Sequence, residues 1–155
     1  MLVIGENSAV FEDAAHFSYR IFDQPNRTRH EWLNHFFYQG NALCHPSVLI
    51  RRECYENCGP YRYGFGQAND FDMWVRLCLK YEIYVLPEKL VRFRILSHEM
   101  NTSGYRPETH IRGEFELFQI LNNYRGIKSA DEFVKVFPRS AEYFKPCLLY
   151  TSRCV

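Results

Sequence analysis

Apolar residues recur every three or four positions in several stretches of the chain, which is the spacing of helices with one buried face. The first stretch covers residues 29–38. It begins with Thr28 and Glu31 three residues apart, as in a capping box, and Gly40 follows its last apolar residue. The pattern predicts a helix whose inward residues are Trp32, Leu33, Phe36 and Phe37.

Two more helices are predicted in the middle of the chain. Residues 52–58 form one or two helical turns, closed by Gly59. After the turn-rich stretch GPYRYGFG, apolar residues again recur at helical spacing. This second helix should have Asn69 or Asp70 as its N-cap and should end near Tyr81.

The C-terminal third predicts two further helices. The first covers residues 110–124 and ends at Gly126; the second begins at Ser129, which precedes two acidic residues. In the first helix we expect Ile111, Phe115, Phe118 and either Leu117 or Leu121 on the inward face, and in the second Phe133, Val136 and Phe137.

Short strands are predicted at residues 2–4, 47–51, 82–86 and 90–95, where apolar runs are bounded by turn residues. In the last of these, Arg92 and Arg94 alternate with apolar neighbours, so one face is polar. Short mixed strands packed with helices predict an α/β fold.

Composition limits the classes of function and partner that the chain can have. A length of 155 residues suits one domain or part of one. Lys+Arg 19 against Asp+Glu 18 gives no positive surplus for a phosphate backbone, so we expect no nucleic acid partner. No apolar run approaches the ~20 residues of a membrane span, and the N-terminus does not have the pattern of a signal peptide. We expect no transmembrane segment and a cytoplasmic location, with membrane association of a full-length protein as an alternative.

The internal cysteines predict reduced, structural thiols. Cys44, Cys54, Cys58 and Cys78 include no C-x-x-C pair, and Cys54 and Cys58 are four apart in a predicted helix, where both can pack. A small zinc module using these two thiols and nearby histidines is the alternative.

The last nine residues, CLLYTSRCV, differ from the preceding pattern. A consistent choice of codons for them is nearly its own reverse complement, like two abutting transposon ends from a sequencing library. Our hypothesis is that residues 1–146 are native sequence and residues 147–155 are a non-native tail. An intact gene that encodes CLLYTSRCV at this place would contradict it.

Asp70 and Asp72 formally match the D-x-D motif by which many sugar-nucleotide enzymes hold Mg²⁺ or Mn²⁺. That motif belongs at the end of an apolar strand, whereas here helical sequence follows. Residues two apart on a helix point in different directions, so the two carboxylates would hardly share one cation. A single carboxylate at the helix N-terminus could accept a proton, and Asp70 is the better placed. The alternative is that Asn69 and Asp70 only cap the helix while Asp72 adds charge to its first turn.

Residues 41–103 resemble the C-terminal half of the catalytic domain of family 2 glycosyltransferases, which have the GT-A fold. The matching segments, in order, are NALCHPSVLIRRE, CGPY, NDFDMWVRL and EIYVLPEKLVRFR, followed by Asn101 and Ser103. The resemblance implies an inverting transfer of a sugar from a nucleotide-sugar donor to an acceptor hydroxyl. The acceptor would be a glycan, a lipid-linked molecule or a protein.

The resemblance also implies roles for single residues. Asp70 matches the catalytic base, and Asn69 stands where the family usually has Glu. Arg94 matches the arginine of the last strand. His98 follows it at a longer spacing than is usual in the family. His98 therefore either contacts a phosphate or metal or is an exposed loop residue. His45 either contacts the acceptor substrate or has a structural role. Arg76 either binds a substrate or forms an ion pair within the helix packing.

The family's nucleotide-binding half, which carries the true D-x-D, finds no match before Asn41. We therefore expect a partial GT-A domain whose N-terminal half is absent, and a fragment that is inactive alone. A divalent metal, Mg or Mn, is expected only in the full-length enzyme; no metal ligand is assigned here. A noncatalytic interaction module with the same fold is the alternative function.

Overall fold

Helices dominate the chain in its computed structural model, which describes residues 1–11, 17–101 and 106–143. The α-helices in the described residues are α1 (Phe17–Phe22), α2 (Arg29–Gln39), α3 (Arg52–Cys58), α4 (Asn69–Cys78), α5 (Pro107–Leu121) and α6 (Ala130–Val136). The strands are β1 (Leu2–Ile4) and β2 (Arg92–Arg94). Short 3₁₀ turns occur at His45–Ser47, Ser97–Glu99, Asn122–Gly126 and Pro138–Ser140. Ser103 and the expected tail, residues 147–155, lie outside the described residues.

The core is built around α4, which is buried on every side between α2, α3 and α5. All its residues from Phe71 to Cys78 are buried. Phe36 of α2 meets Phe71 edge to face, with ring centroids 5.6 Å apart, and Ile120 of α5 and Val136 of α6 complete the cluster. A helix that is buried all round is held rigidly, so α4 is a firm support for the side chains of its first turn.

Helix α2 confirms the predicted capping box. The Thr28 hydroxyl accepts a hydrogen bond from the Glu31 backbone N–H at 3.3 Å, and the Glu31 carboxylate accepts one from the Thr28 N–H at 2.8 Å. Gly40 ends the helix with a φ of 81°, which favours glycine. Trp32, Leu33 and Phe36 are buried as predicted, but Phe37 is 41% exposed and that prediction was wrong. Its ring packs on Tyr124 and Phe137 near the surface instead.

We expect Thr28→Ala to lower the free energy of unfolding by about 1 kcal/mol, because it leaves a helix N–H without its acceptor. Thr28→Ser keeps the hydroxyl and should stay much closer to wild type. Chemical denaturation of the three proteins measures both effects. Equal losses for the alanine and serine variants would show that the Thr28 methyl group, not the cap, stabilises this end of α2.

The predicted strands are mostly absent. Residues 47–51 and 82–86 are not strands, and residues 90–95 shorten to β2. In residues 82–86 the Asn26 side chain takes the place of a partner strand. It donates to the Val85 carbonyl and accepts from the Val85 N–H. The predicted first strand is confirmed: β1 pairs with β2 in parallel, Val3 opposite Phe93. The described chain is thus mostly helical with one short parallel pair; its assignment to a GT-A fold stays a prediction.

Four helix boundaries differ from the predictions. Ala68, not Asn69 or Asp70, is the N-cap of α4, and the helix ends at Cys78, three residues before Tyr81. Helix α5 begins earlier than expected, at Pro107, and passes into a 3₁₀ turn at Asn122.

The predicted inward face of α5 is wrong. Ile111, Phe115 and Phe118 are all at least 65% exposed, whereas Glu116 and Ile120 are buried. The helix is rotated so that the Glu116 carboxylate, and not the phenylalanines, reaches the rest of the chain. In α6, Val136 is buried and Phe137 partly buried as expected, while Phe133 lies at the surface. Among the described helices, none combines the length and the hydrophobicity that crossing a membrane requires.

Candidate functional site

Asp70 lies half-buried in the first turn of α4, with its carboxylate near the helix N-terminus. Its Oδ2 accepts a hydrogen bond from the Asn41 side chain at 3.1 Å, and its Oδ1 accepts one from the Phe71 N–H at 2.7 Å. The Asn69 side chain accepts from the Asp70 N–H at 2.7 Å. Since a carboxylate offers about four acceptor positions, Asp70 can accept a further hydrogen bond from a ligand hydroxyl.

Asp72 has a different environment, although it lies in the first turn of α4 as predicted. Its side chain is fully buried. Oδ2 accepts from Arg76 Nε at 2.8 Å, while Oδ1 accepts from Arg62 Nη1 and Asn123 Nδ2, both at 2.9 Å. Because these donors occupy both oxygens of Asp72, it is not available to share a cation with Asp70. Within the described ranges, no three His, Cys, Asp or Glu side chains come together as a metal site.

Arg76 joins the buried Asp72 to the C-terminal end of α3. Its Nη1 donates to the carbonyls of Cys58 and Gly59, and its Nη2 donates to the Pro60 carbonyl at 2.9 Å. The Cys58 carbonyl is one that the end of α3 leaves unsatisfied, and a cation there is favourable. Arg76 therefore forms the ion pair that was one of its two predicted roles. The other role, binding of a substrate, stays a prediction.

A buried carboxylate on α5 holds the loop that leads into α4. Glu116 is 2% exposed and accepts hydrogen bonds from three consecutive backbone N–H groups, those of Gly66, Gln67 and Ala68, at 2.7–2.9 Å. Arg112 Nε donates to the same carboxylate at 2.7 Å. Burial raises the pKa of Glu116, but these hydrogen bonds outweigh it and leave the pKa below its ordinary value. Glu116 therefore fixes the backbone two residues before Asp70.

A groove opens beside α3, which we call the Tyr61 groove. Its lining includes His45, Val48, Leu49, Ile50, Tyr55 and Tyr61. Its volume is about 580 Å³, within the range of small-molecule sites. Tyr61 Oη and His45 Nε2 lie 3.1 Å apart in a hydrogen bond, and the His45 ring stands edge-on to the buried Trp74.

Asp70 precedes by one helical turn Trp74, whose ring contacts the His45 ring of this groove. Burial raises the pKa of Tyr61, and the neighbouring Tyr55 and the charge of Asp70 raise it further. Burial likewise raises the pKa of the Cys44 thiol, to which Asp70 adds. The structure thus places Asn69 beside Asp70, and it places His45 against Trp74, one helical turn after Asp70.

Arg94 and His98 lie with the small β-sheet. The Arg94 guanidinium donates to the carbonyls of Gly5 and Glu6 and to the Ser8 hydroxyl, so it holds the turn after β1. His98 is exposed and has a φ of 54°, and its nearby charge lowers the pKa of Glu6 after the larger effect of hydrogen bonds from Ser97. No described hydrogen bond connects Arg94 or His98 with Asp70. Their contact with a donor phosphate stays a prediction.

The cysteines Cys44, Cys54, Cys58 and Cys78 are free thiols, as expected. Burial raises the pKa of Cys78 strongly and that of Cys58 less, so both thiols are held in the protonated form.

Two residues that support the site were not singled out from the sequence. Asn41, which binds Asp70, was only the first residue of the resemblance. Glu116 stands between Phe115 and Leu117, where its neighbours indicate a surface position on an amphipathic helix. No local signal reveals either contact, because their partners lie 29 and about 50 residues away.

Comparisons with protein-family models, with curated proteins and with solved structures find no match to this chain.

Proposed function

We propose that this chain carries the base and acceptor side of an inverting glycosyltransferase, in which Asp70 is the catalytic base. The observation that supports this most is the division of the two carboxylates: Asp72 is enclosed by its donors, while Asp70 is half-buried beside the Tyr61 groove. The groove offers room for an acceptor, and Asp70 is held at its side by Asn41 and by the rigid α4. The sequence resemblance supplies the reaction class.

In the proposed reaction, a hydroxyl of the acceptor donates a hydrogen bond to the Asp70 carboxylate. The hydroxyl proton passes to Asp70 as the oxygen attacks the anomeric carbon of the donor sugar, and the bond to the diphosphate breaks with its electron pair leaving on the diphosphate. Holding the hydroxyl in line with that carbon is a large part of the rate enhancement. Asn41 positions the carboxylate, and Asn69 holds the backbone N–H of the base itself.

A divalent metal, Mg or Mn, would stabilise the leaving diphosphate in a full-length enzyme. The described residues do not fit that metal, since the Asp72 carboxylate is fully buried among three donors and Asp70 is the one accessible carboxylate of the pair. We assign the metal and the nucleotide sugar to a donor-binding part outside this chain, with Arg94 and His98 as the residues here proposed to reach the donor phosphates.

A second candidate is a noncatalytic module that keeps the fold and has lost the chemistry. The observation that favours it is Asn69, an uncharged residue where the resembling family usually has Glu. In the structure Asn69 uses its side-chain oxygen to bind the Asp70 N–H, so it has a capping role that needs no charge.

The test is nucleotide-sugar turnover by the full-length protein recovered from its genomic locus. Asp70→Asn should lower kcat at least about a hundredfold, since it removes the proton acceptor. Asp23→Asn, the same change at an exposed residue of the same chain, should leave kcat unchanged. An active enzyme whose Asp70→Asn variant keeps its kcat would exclude Asp70 as the base. A folded full-length protein that is inactive with every donor would support the noncatalytic module.

A further inference from the structure

We propose that Glu116 is a positioning residue for the sugar transfer: through the loop that precedes α4, it determines where the Asp70 carboxylate stands. The inference rests on the proposed function, because it takes Asp70 as the base. Glu116 itself does not meet a substrate, since its side chain is 2% exposed and its two oxygens accept hydrogen bonds from three backbone N–H groups and Arg112.

The first turn of α4 needs a contact from outside the helix. Its N-cap, Ala68, has no side-chain hydrogen bond to the helix, and Ala68, Asn69 and Asp70 are half-buried, whereas the residues that follow are buried. The Asn69 and Asp70 side chains each accept from the next backbone N–H, so these two hydrogen bonds move with the turn itself. Because helix ends fray, local bonds alone do not fix this turn against the rest of the chain.

Glu116 supplies the outside contact to the backbone. Its carboxylate accepts from the Ala68 N–H at 2.7 Å, and the Ala68 carbonyl accepts the first hydrogen bond of α4, from the Asp72 N–H at 2.9 Å. Ala68 is therefore held by α5 on one side of its backbone and by α4 on the other, and Asp70 follows two residues later. A carboxylate at this end of α4 also matches the partial positive charge of a helix N-terminus.

Arg112 and Gly66 keep the Glu116 carboxylate in this place. Arg112 Nε donates to Glu116 Oε1 at 2.7 Å. The Arg112 guanidinium lies so close to Gly66 that a Cβ atom there would come within 2.6 Å of Arg112 Cζ. A residue without a side chain thus lets the guanidinium and the carboxylate reach the same loop. Ile120, one turn later on α5, is buried in the core, so the helix that carries Glu116 is itself fixed.

The same N–H groups do not serve as a site for a donor phosphate. Backbone N–H groups at a helix N-terminus commonly bind anions, but those of Gly66, Gln67 and Ala68 already donate to Glu116. The loop therefore has its anion within the chain, and its role is to hold α4.

Steady-state kinetics of the full-length enzyme test the proposal, with rates divided by the folded fraction from circular dichroism. Glu116→Gln turns an N–H₂ group toward the loop, so Asp70 is displaced and kcat should fall about 10- to 100-fold. The KM for the acceptor should change less than about twofold, because no substrate contact is lost. Two controls should keep kcat: Val136→Ala, a core change that lowers stability, and Glu114→Gln, at an exposed carboxylate of α5.

A second measurement needs no turnover. In the full-length protein, isotope-labelled at its aspartate carboxyl carbons, the NMR signal of Asp70 is the one that Asp70→Asn removes. Glu116→Gln should shift this signal, because the carboxylate changes its surroundings. Val136→Ala and Glu114→Gln should leave it in place.

Three results would overturn the proposal: a Glu116→Gln enzyme that keeps its kcat, equal losses of kcat in Glu116→Gln and Val136→Ala, or an Asp70 signal that does not move. Its failure is distinguishable from failure of the proposed function. An enzyme that needs Asp70 but not Glu116 refutes the positioning and leaves the base. A protein without turnover, whose Asp70 signal moves only in Glu116→Gln, refutes the base and leaves Glu116 as the residue that positions this carboxylate.

Discussion

Replacing Asp72 with asparagine should lower the free energy of unfolding by about 3–5 kcal/mol, the usual cost of breaking a buried ion pair from one side. Asparagine has the same shape, so the change is electrostatic. Arg76 would remain buried with only backbone carbonyls to balance its charge, and the new amide N–H₂ would oppose the donors of Arg62 or Asn123. Urea denaturation followed by circular dichroism measures the loss.

Asp131→Asn is the matched control for that experiment. Asp131 also lies in the first turn of a helix, α6, but it is exposed. Its replacement should change the free energy of unfolding by less than about 0.5 kcal/mol. If both variants lose the same small amount, Asp72 contributes only first-turn charge and the buried cluster does not stabilise the fold.

A double variant measures the interaction energy between Asp72 and Arg76 separately from their contacts with other residues. Arg76→Met alone should also destabilise strongly, because it leaves the Asp72 carboxylate buried beside one fewer cation. Asp72→Asn combined with Arg76→Met should lose less than the sum of the two single changes, by about 0.5–3 kcal/mol. Additive losses would mean that the two side chains do not interact.

Helix α2 shows what the sequence could predict. Thr28, Glu31 and Gly40 act through hydrogen bonds and backbone angles within a few residues, so their order along the chain already contains the geometry. The helical period alone likewise predicted that Asp70 and Asp72 point in different directions and have different roles. Each of these inferences needed no knowledge of what packs against the helix.

Helix α5 shows what the sequence could not predict. Apolar periodicity assigned Ile111, Phe115 and Phe118 to the core, yet α5 turns Glu116 inward because three N–H groups of a distant loop need an acceptor. That need arises only when residues 66–68 are already in place, about 50 positions earlier in the sequence. A long-range polar contact of this kind leaves no trace in hydrophobic spacing.

The same reason limits the prediction of the site. Helical geometry indicated that Asp70 and Asp72 point apart, but not that Asp72 would be fully buried. Its partners Arg62 and Asn123 lie 10 and 51 residues away, and their arrival decides which carboxylate stays open. Asp70 was chosen as the accessible carboxylate because it lies at the start of the helix. The structure adds a second reason, which is that Asp72 is buried among its donors.

Glu116→Gln should lower the free energy of unfolding at pH 7 by about 2–4 kcal/mol. The wild-type carboxylate accepts three backbone N–H bonds and one from Arg112, and hydrogen bonds to a charged group are the strong ones. Glutamine keeps one oxygen and turns an N–H₂ group toward N–H donors. At least one of Gly66, Gln67 and Ala68 then loses its acceptor.

The effect should depend on pH in a defined direction. The folded pKa of Glu116 lies below its ordinary value of 4.5. The stabilisation is therefore complete above the unfolded pKa and is lost as the pH falls through the folded pKa. The stability difference between wild type and Glu116→Gln should be largest at neutral pH and should shrink below about pH 4.5. Other carboxylates are common to both proteins and cancel in the comparison.

Glu114→Gln provides the control on the same helix, because Glu114 is exposed and its carboxylate lies 3.5 Å from His110. It should change stability by less than about 0.5 kcal/mol at pH 7. Amide hydrogen exchange then locates the effect: Glu116→Gln should speed exchange at Gly66, Gln67 and Ala68 before it does so in the centre of α4. A variant that exchanges faster everywhere, with no preference for these three amides, would show that Glu116 stabilises the fold as a whole and does not locally fix the loop before Asp70.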